Sequence, residues 1–71
     1  MKAFETRRDN LRFLVALYPS QSALAEIIGV HPSYMNQLLH GRRNIGEKTA
    51  RKIETAAGLD ELWLDNAGEQ Q

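Results

Sequence analysis

The segment SQSALAEIIGVHPSYMNQLLHGRRN, residues 20–44, carries two short apolar stripes of helical period on either side of a glycine. Ser20 is a good N-cap, with an oxygen available to the free amides of a helix expected over 21–28. Leu24, Ala25 and Ile28 recur at i, i+1 and i+4 and so draw one apolar stripe along that helix. Gly29 falls where the helix must end, because glycine enters the left-handed C-terminal cap without steric cost. Val30 can plug the corner, His31 sits near the next N-cap, and Pro32 suits a first helical turn, where its missing N–H is not needed. A second helix is expected from Pro32 to His40. On it Met35, Leu38 and Leu39 share one face, Ser33, Gln37 and His40 the opposite one, with Tyr34 and Asn36 on the flanks. Two helices crossing over so short a turn approach closely, so a small residue is needed at Ala25.

Working outward, Leu11, Leu14, Val15 and Tyr18 fall at i, i+3, i+4 and i+7 and mark a helix over 5–17 that Pro19 helps to end. On this periodicity Arg7, Arg8 and Arg12 mostly face solvent, as solvated charges first and as helpers at phosphates second. After the loop, Ile45, Thr49, Ala50, Ile53 and Ala57 form the stripe of a helix over 46–57, with Gly58 as its stop. Leu59, Leu62, Trp63 and Leu64 suggest a short fifth helix starting near Asp60. The expected fold is all-α: a compact five-helix bundle over residues 1–65, followed by a polar, disordered tail or linker start over 66–71. Trp63 has two readings, a lid on the core or a contact between two copies.

Seventy-one residues make one domain with a small core. The chain has no cysteine, which excludes disulfides and thiolate metal sites and suits a cytosolic setting. No apolar run approaches a membrane span, and MKAFETRRDN lacks the apolar segment of a signal peptide. The formal net charge is zero, but it is polarised: all nine Lys and Arg lie at or before Lys52, whereas five of the nine acids lie at or after Glu54. Residues 1–53 therefore carry a net +5. Such an asymmetry points to a nucleic-acid face on the basic part, with solvated charge as the bland alternative.

Two helices across a glycine turn, a polar outer face on the second and a basic GRRN after it make up a helix-turn-helix pattern; an ordinary helical hairpin is the competing explanation. The chain also resembles the phage-repressor class of helix-turn-helix domains, which includes the lambdoid repressors and Cro proteins, over about residues 5–64. Gln21, Ala25, Gly29, Met35, Leu38 and Gly41 fit that family's pattern. The phrases SQSALAEIIGV, SYMNQLLHGRRNIGEKTARKIE and AAGLDELWLD are similar to repressors that often carry a self-cleaving serine-lysine peptidase domain next. The present residues contain no such domain, so no peptidase property is carried over.

The resemblance implies a lambda-repressor-like bundle and sequence-specific binding of double-stranded operator DNA as a transcriptional regulator, most simply a phage or prophage repressor. The helix at 32–40 would lie in the major groove and read bases near its N-terminal end. Pro32, Ser33 and Gln37 occupy positions that read bases in relatives, and Tyr34 and Asn36 are further candidates. Pro32 departs from the polar residue common there and offers only apolar contact. Gln37 is the first choice, because its amide can both donate and accept, matching the N6 and N7 edge of adenine. Gln21, His40, Arg42, Arg43 and Asn44 are the backbone candidates, with Arg43 also placed to reach a base. One domain offers few contacts, so a homodimer on a palindromic operator is expected, weak when free and completed on DNA.

An antitoxin-like regulator that binds both its operator and a protein toxin is the alternative, and a pure interaction module comes after it. An enzyme is least favoured, since His31 and His40 stand without cysteine or a carboxylate pair at catalytic spacing. No cofactor, metal or membrane is expected. The localisation expected is the cytoplasm of a bacterium or infected host, at the nucleoid. A missing C-terminal domain or a protein partner fits the linker-like tail.

Overall fold

A computed structural model describes residues 3–66. In it α1 spans Ala3–Val15, α2 Gln21–Ile28, α3 Pro32–Leu39 and α4 Glu47–Ala57, and a 3₁₀ turn covers Trp63–Asp65. The polar tail expected from position 66 onward lies, after Asn66, outside the described residues. Among the described residues there is no strand, and no helix is long and apolar enough to cross a membrane.

The helix α1 starts and stops two residues earlier than its spacing predicts. Past Val15 the chain tightens, with Leu17 N–H donating to the Leu14 carbonyl and Tyr18 N–H to that of Val15, each at 3.0 Å. Pro19 then supplies no N–H and disfavours the helical region for Tyr18. Next, Ser20 caps α2 as expected, its hydroxyl accepting from Ala23 N–H at 3.0 Å. Gly29 closes the helix at φ 86°, where its own N–H and that of Val30 both reach the Ala25 carbonyl, at 2.9 and 3.0 Å. That left-handed turn aims α3 across α2. Leu24, Ala25 and Ile28 then meet Met35, Leu38 and Leu39 in one core with Leu11, Leu14, Ile45, Ala50, Ile53 and Leu64. Ala25 is fully buried, in keeping with the close crossing.

The chain after α4 departs from expectation. In place of a fifth α-helix there is one 3₁₀ turn, and the reason is the buried carboxylate of Glu54, which is 2% exposed. Its Oε1 accepts from Leu62 N–H at 3.0 Å and its Oε2 from Leu64 N–H at 2.8 Å. The segment wraps around this side chain, and amides that could propagate a helix are spent on it. Leu62 is held there at φ 72°, a left-handed conformation uncommon for a leucine.

Arg7, expected in solvent, is buried instead. Its Nε and Nη2 donate to the two oxygens of Asp65 at 2.8 and 3.1 Å, and its Nη1 to the Ile45 carbonyl at 2.8 Å. Arg51 joins from α4, its Nη2 donating at 3.0 Å to both Glu54 and Asp65. Asn10 holds the Leu64 carbonyl at 2.9 Å. The hydrogen bonds from Arg7 hold the Asp65 carboxyl below the usual carboxylate range and raise the guanidinium's own pKa. Trp63 lies half-buried against the core, with its ring centroid 6.4 Å from that of Phe13, as a lid would.

Candidate nucleic-acid interface

Two concavities among the described residues do not resemble a small-molecule site. One of about 210 Å³ is lined by Arg51, Glu54, Thr55, Leu59 and Glu61, and another of about 60 Å³ lies where α2 and α3 meet α4. Both are smaller than the ~300 Å³ at which ligand pockets begin. Among the described residues, no group of three or more His, Cys, Asp or Glu is placed to hold a metal ion. The exposed polar surface of α3 and the loop after it is the more distinctive feature.

The helix α3 is capped by a histidine. His31 Nδ1 accepts from Ser33 N–H at 3.0 Å, which leaves the ring proton on Nε2, and Pro32 fills the first position. Met35, Leu38 and Leu39 are buried, whereas Pro32, Ser33 and His40 are exposed and Tyr34, Asn36 and Gln37 half-buried. The candidate base readers therefore share the outer side and flanks of one helix, the polar side read from the sequence. Gln21 opens α2, half-buried at the first turn. His40 Nδ1 lies 2.9 Å from the Asn36 carbonyl, an acceptor only, so this ring carries its proton on Nδ1.

The loop after α3 folds back on the helix. Gly41 takes φ 75°, and the N–H groups of Arg42 and Arg43 both donate to the Gln37 carbonyl, at 2.9 and 3.3 Å. Arg42, Arg43 and Asn44 are exposed. The Arg43 side chain turns back as well. Its Nε donates to Gln37 Oε1 at 2.6 Å, and its guanidinium carbon lies 5.7 Å from the centroid of the Tyr34 ring.

Of the other α1 arginines, Arg12 is exposed as its periodicity predicts and Arg8 half-buried, but the contacts they make were not legible in the spacing. Arg12 Nε donates to the Leu39 carbonyl at 3.0 Å, which places a cation at the C-terminal end of α3. Arg8 packs over Gly41, where a Cβ would meet Arg8 Nη1 at 2.9 Å. Arg8 and Arg12 thus add positive charge beside Arg42 and Arg43. The charge polarity read from the sequence is also partly internal, since Arg7 and Arg51 are neutralised by Asp65 and Glu54 away from this surface. No signal of local spacing marks these contacts, which join residues as far as 27 and 58 positions apart.

Comparison with known proteins agrees with the geometry. A crystal structure described as a Rep-Ant complex from a Salmonella-temperate phage superposes with a TM-score of 0.85 at 32% identity, covering 96% of this chain. The chain spans 41% of the length of that protein chain. No curated protein matches it. The family model described as Helix-turn-helix matches residues 20–64, from the cap of α2 through the 3₁₀ turn, and the chain accordingly belongs to the helix-turn-helix family of the Cro/C1 type, a family of DNA-binding transcription regulators.

Proposed function

We propose that this chain is a phage-type repressor domain that binds a palindromic operator as a homodimer, with α3 in the major groove. The observation that carries this reading is the two-sidedness of α3: one face is locked into the core while the other presents Ser33, Tyr34, Asn36, Gln37 and His40 beside an exposed basic loop. In this reading Pro32, Ser33, Tyr34, Asn36 and Gln37 face base edges, Gln21, His40, Arg42 and Asn44 hold phosphates, and Arg43 stands between the two groups, within reach of a phosphate or a base. The likeness to a chain of a phage Rep-Ant complex supports the phage setting, and makes capture by a protein partner a natural route to derepression.

Two copies on half-sites one DNA turn apart supply the affinity that a single domain lacks. The test is selection of bound duplexes from a random pool by the purified chain at near-physiological salt. Enrichment of a two-fold symmetric motif is the expected result. Salt-sensitive binding without enrichment would refute sequence-specific repression.

A further inference from the structure

Resting on the operator-binding reading, we infer that Arg43 is a positioning and specificity residue that turns Gln37 from a reader of adenine into half of a donor-rich pair that favours guanine. An arginine side chain has donors and no acceptor, so the 2.6 Å contact with Arg43 Nε fixes which end of the Gln37 amide faces the loop. That end is the oxygen. The amide NH₂ is the end not engaged in that contact, and the other guanidinium N–H groups are donors as well.

An isolated glutamine suits adenine because it accepts from N6 while donating to N7. Here one of the oxygen's two lone pairs is already engaged by a cation. Arg43 brings only N–H donors to the side chain it holds, and the major-groove edge that offers two acceptors, N7 and O6, is guanine's. Adenine would bring its own N6 donors toward that cation.

Two further contacts hold the arrangement in place. The Arg43 guanidinium lies over the Tyr34 ring, three residues before Gln37 on α3, and the Arg43 backbone N–H is tied to the Gln37 carbonyl. Side chain and main chain of Arg43 thus both return to Gln37. Arg42, its exposed neighbour, donates to Gln37 only through its backbone and keeps its side chain for phosphate. The two adjacent arginines therefore differ in role.

The experiment is duplex selection with the full chain and with Arg43→Ala, followed by titration of both against four duplexes that differ only at the base pair whose preference Gln37→Ala abolishes. The parent should favour guanine there by on the order of tenfold. Arg43→Ala should move the preference to adenine, as the released amide oxygen accepts from N6, while the melting temperature stays unchanged because both side chains meet at the surface. Arg43→Met keeps a stem over Tyr34 and gives the same readout if the alanine variant melts early. A parent preference for adenine would overturn the inference. So would an Arg43→Ala variant that weakens all four duplexes equally with the preference intact, since Arg43 would then be a phosphate contact. Failure of the parent to enrich any sequence would instead defeat the operator reading itself.

Discussion

The α2–α3 pair and the joint between α1, α4 and the 3₁₀ turn both close the fold, but different forces hold them. In the first, Leu24, Ala25 and Ile28 meet Met35 and Leu38 through apolar packing between residues close in sequence, with Gly29 setting the angle. In the second, Arg7, Arg51, Glu54 and Asp65 form an ion network that draws together residues up to 58 positions apart. Packing tolerates small changes of volume, whereas a buried ion network fails when one member is left unpaired. The surface that carries α3's polar side chains is built on the packed unit. The ion joint fixes how the rest of the domain closes over it.

The largest effect is expected at Glu54. Glu54→Ala strips partners from Leu62 N–H, Leu64 N–H and Arg51, and should cost about 3–5 kcal/mol. For a domain of this size that is most of the total stability, and urea unfolding should show a midpoint shifted close to zero denaturant. A loss under about 1 kcal/mol would make the joint a surface feature. Next comes Ala25→Leu, which forces a larger side chain into the α2–α3 crossing. It should cost about 1–3 kcal/mol, or roughly 5–20 °C in melting temperature, and an unchanged melt would show that the helices do not pack there.

Asp65→Asn separates the two regions by pH. The folded-state pKa of Asp65 is depressed by Arg7, so its contribution is present above the ordinary carboxylate pKa of about 4 and is lost as pH falls through the depressed value. The parent should lose stability over that acid range, whereas Asp65→Asn should start about 1–2 kcal/mol lower and show a flatter acid limb. Ala25→Leu should leave the acid limb unchanged. The smallest expected effect on folding is at Arg42→Ala, an exposed loop position. Its melt should match the parent's within about 0.5 kcal/mol, while DNA affinity falls alike for all sequences and the salt slope drops by about 1.

Much of the helix-turn-helix was legible before any coordinates. Ser20, Gly29 and Pro32 are local signals, and the structure places each at the cap or turn its chemistry suits. The polar side of α3 was equally legible, because a helical period of 3.6 separates Ser33 and His40 from Met35 and Leu38 without reference to other elements. Arg7 was not. Arg7 at a position that periodicity places in solvent is buried because Asp65 and the Ile45 carbonyl wait for it across the fold. The fifth helix failed for the same reason, since Leu59, Leu62, Trp63 and Leu64 have helical spacing, yet a carboxylate from α4 takes their segment's amides.

The sequence by itself determined the elements that depend on near neighbours: helix starts, glycine stops, the apolar stripes and the polar outer face of α3. Capping and periodicity act within a few residues and need no partner. Only the tertiary structure decided which arginines are drawn into ion pairs and which stay exposed, that the Gln37 amide oxygen is held by Arg43, and that the last apolar segment wraps a buried carboxylate as a 3₁₀ turn. Such outcomes depend on partners many residues away, and the direction of a hydrogen bond between two side chains is set by where folding places them.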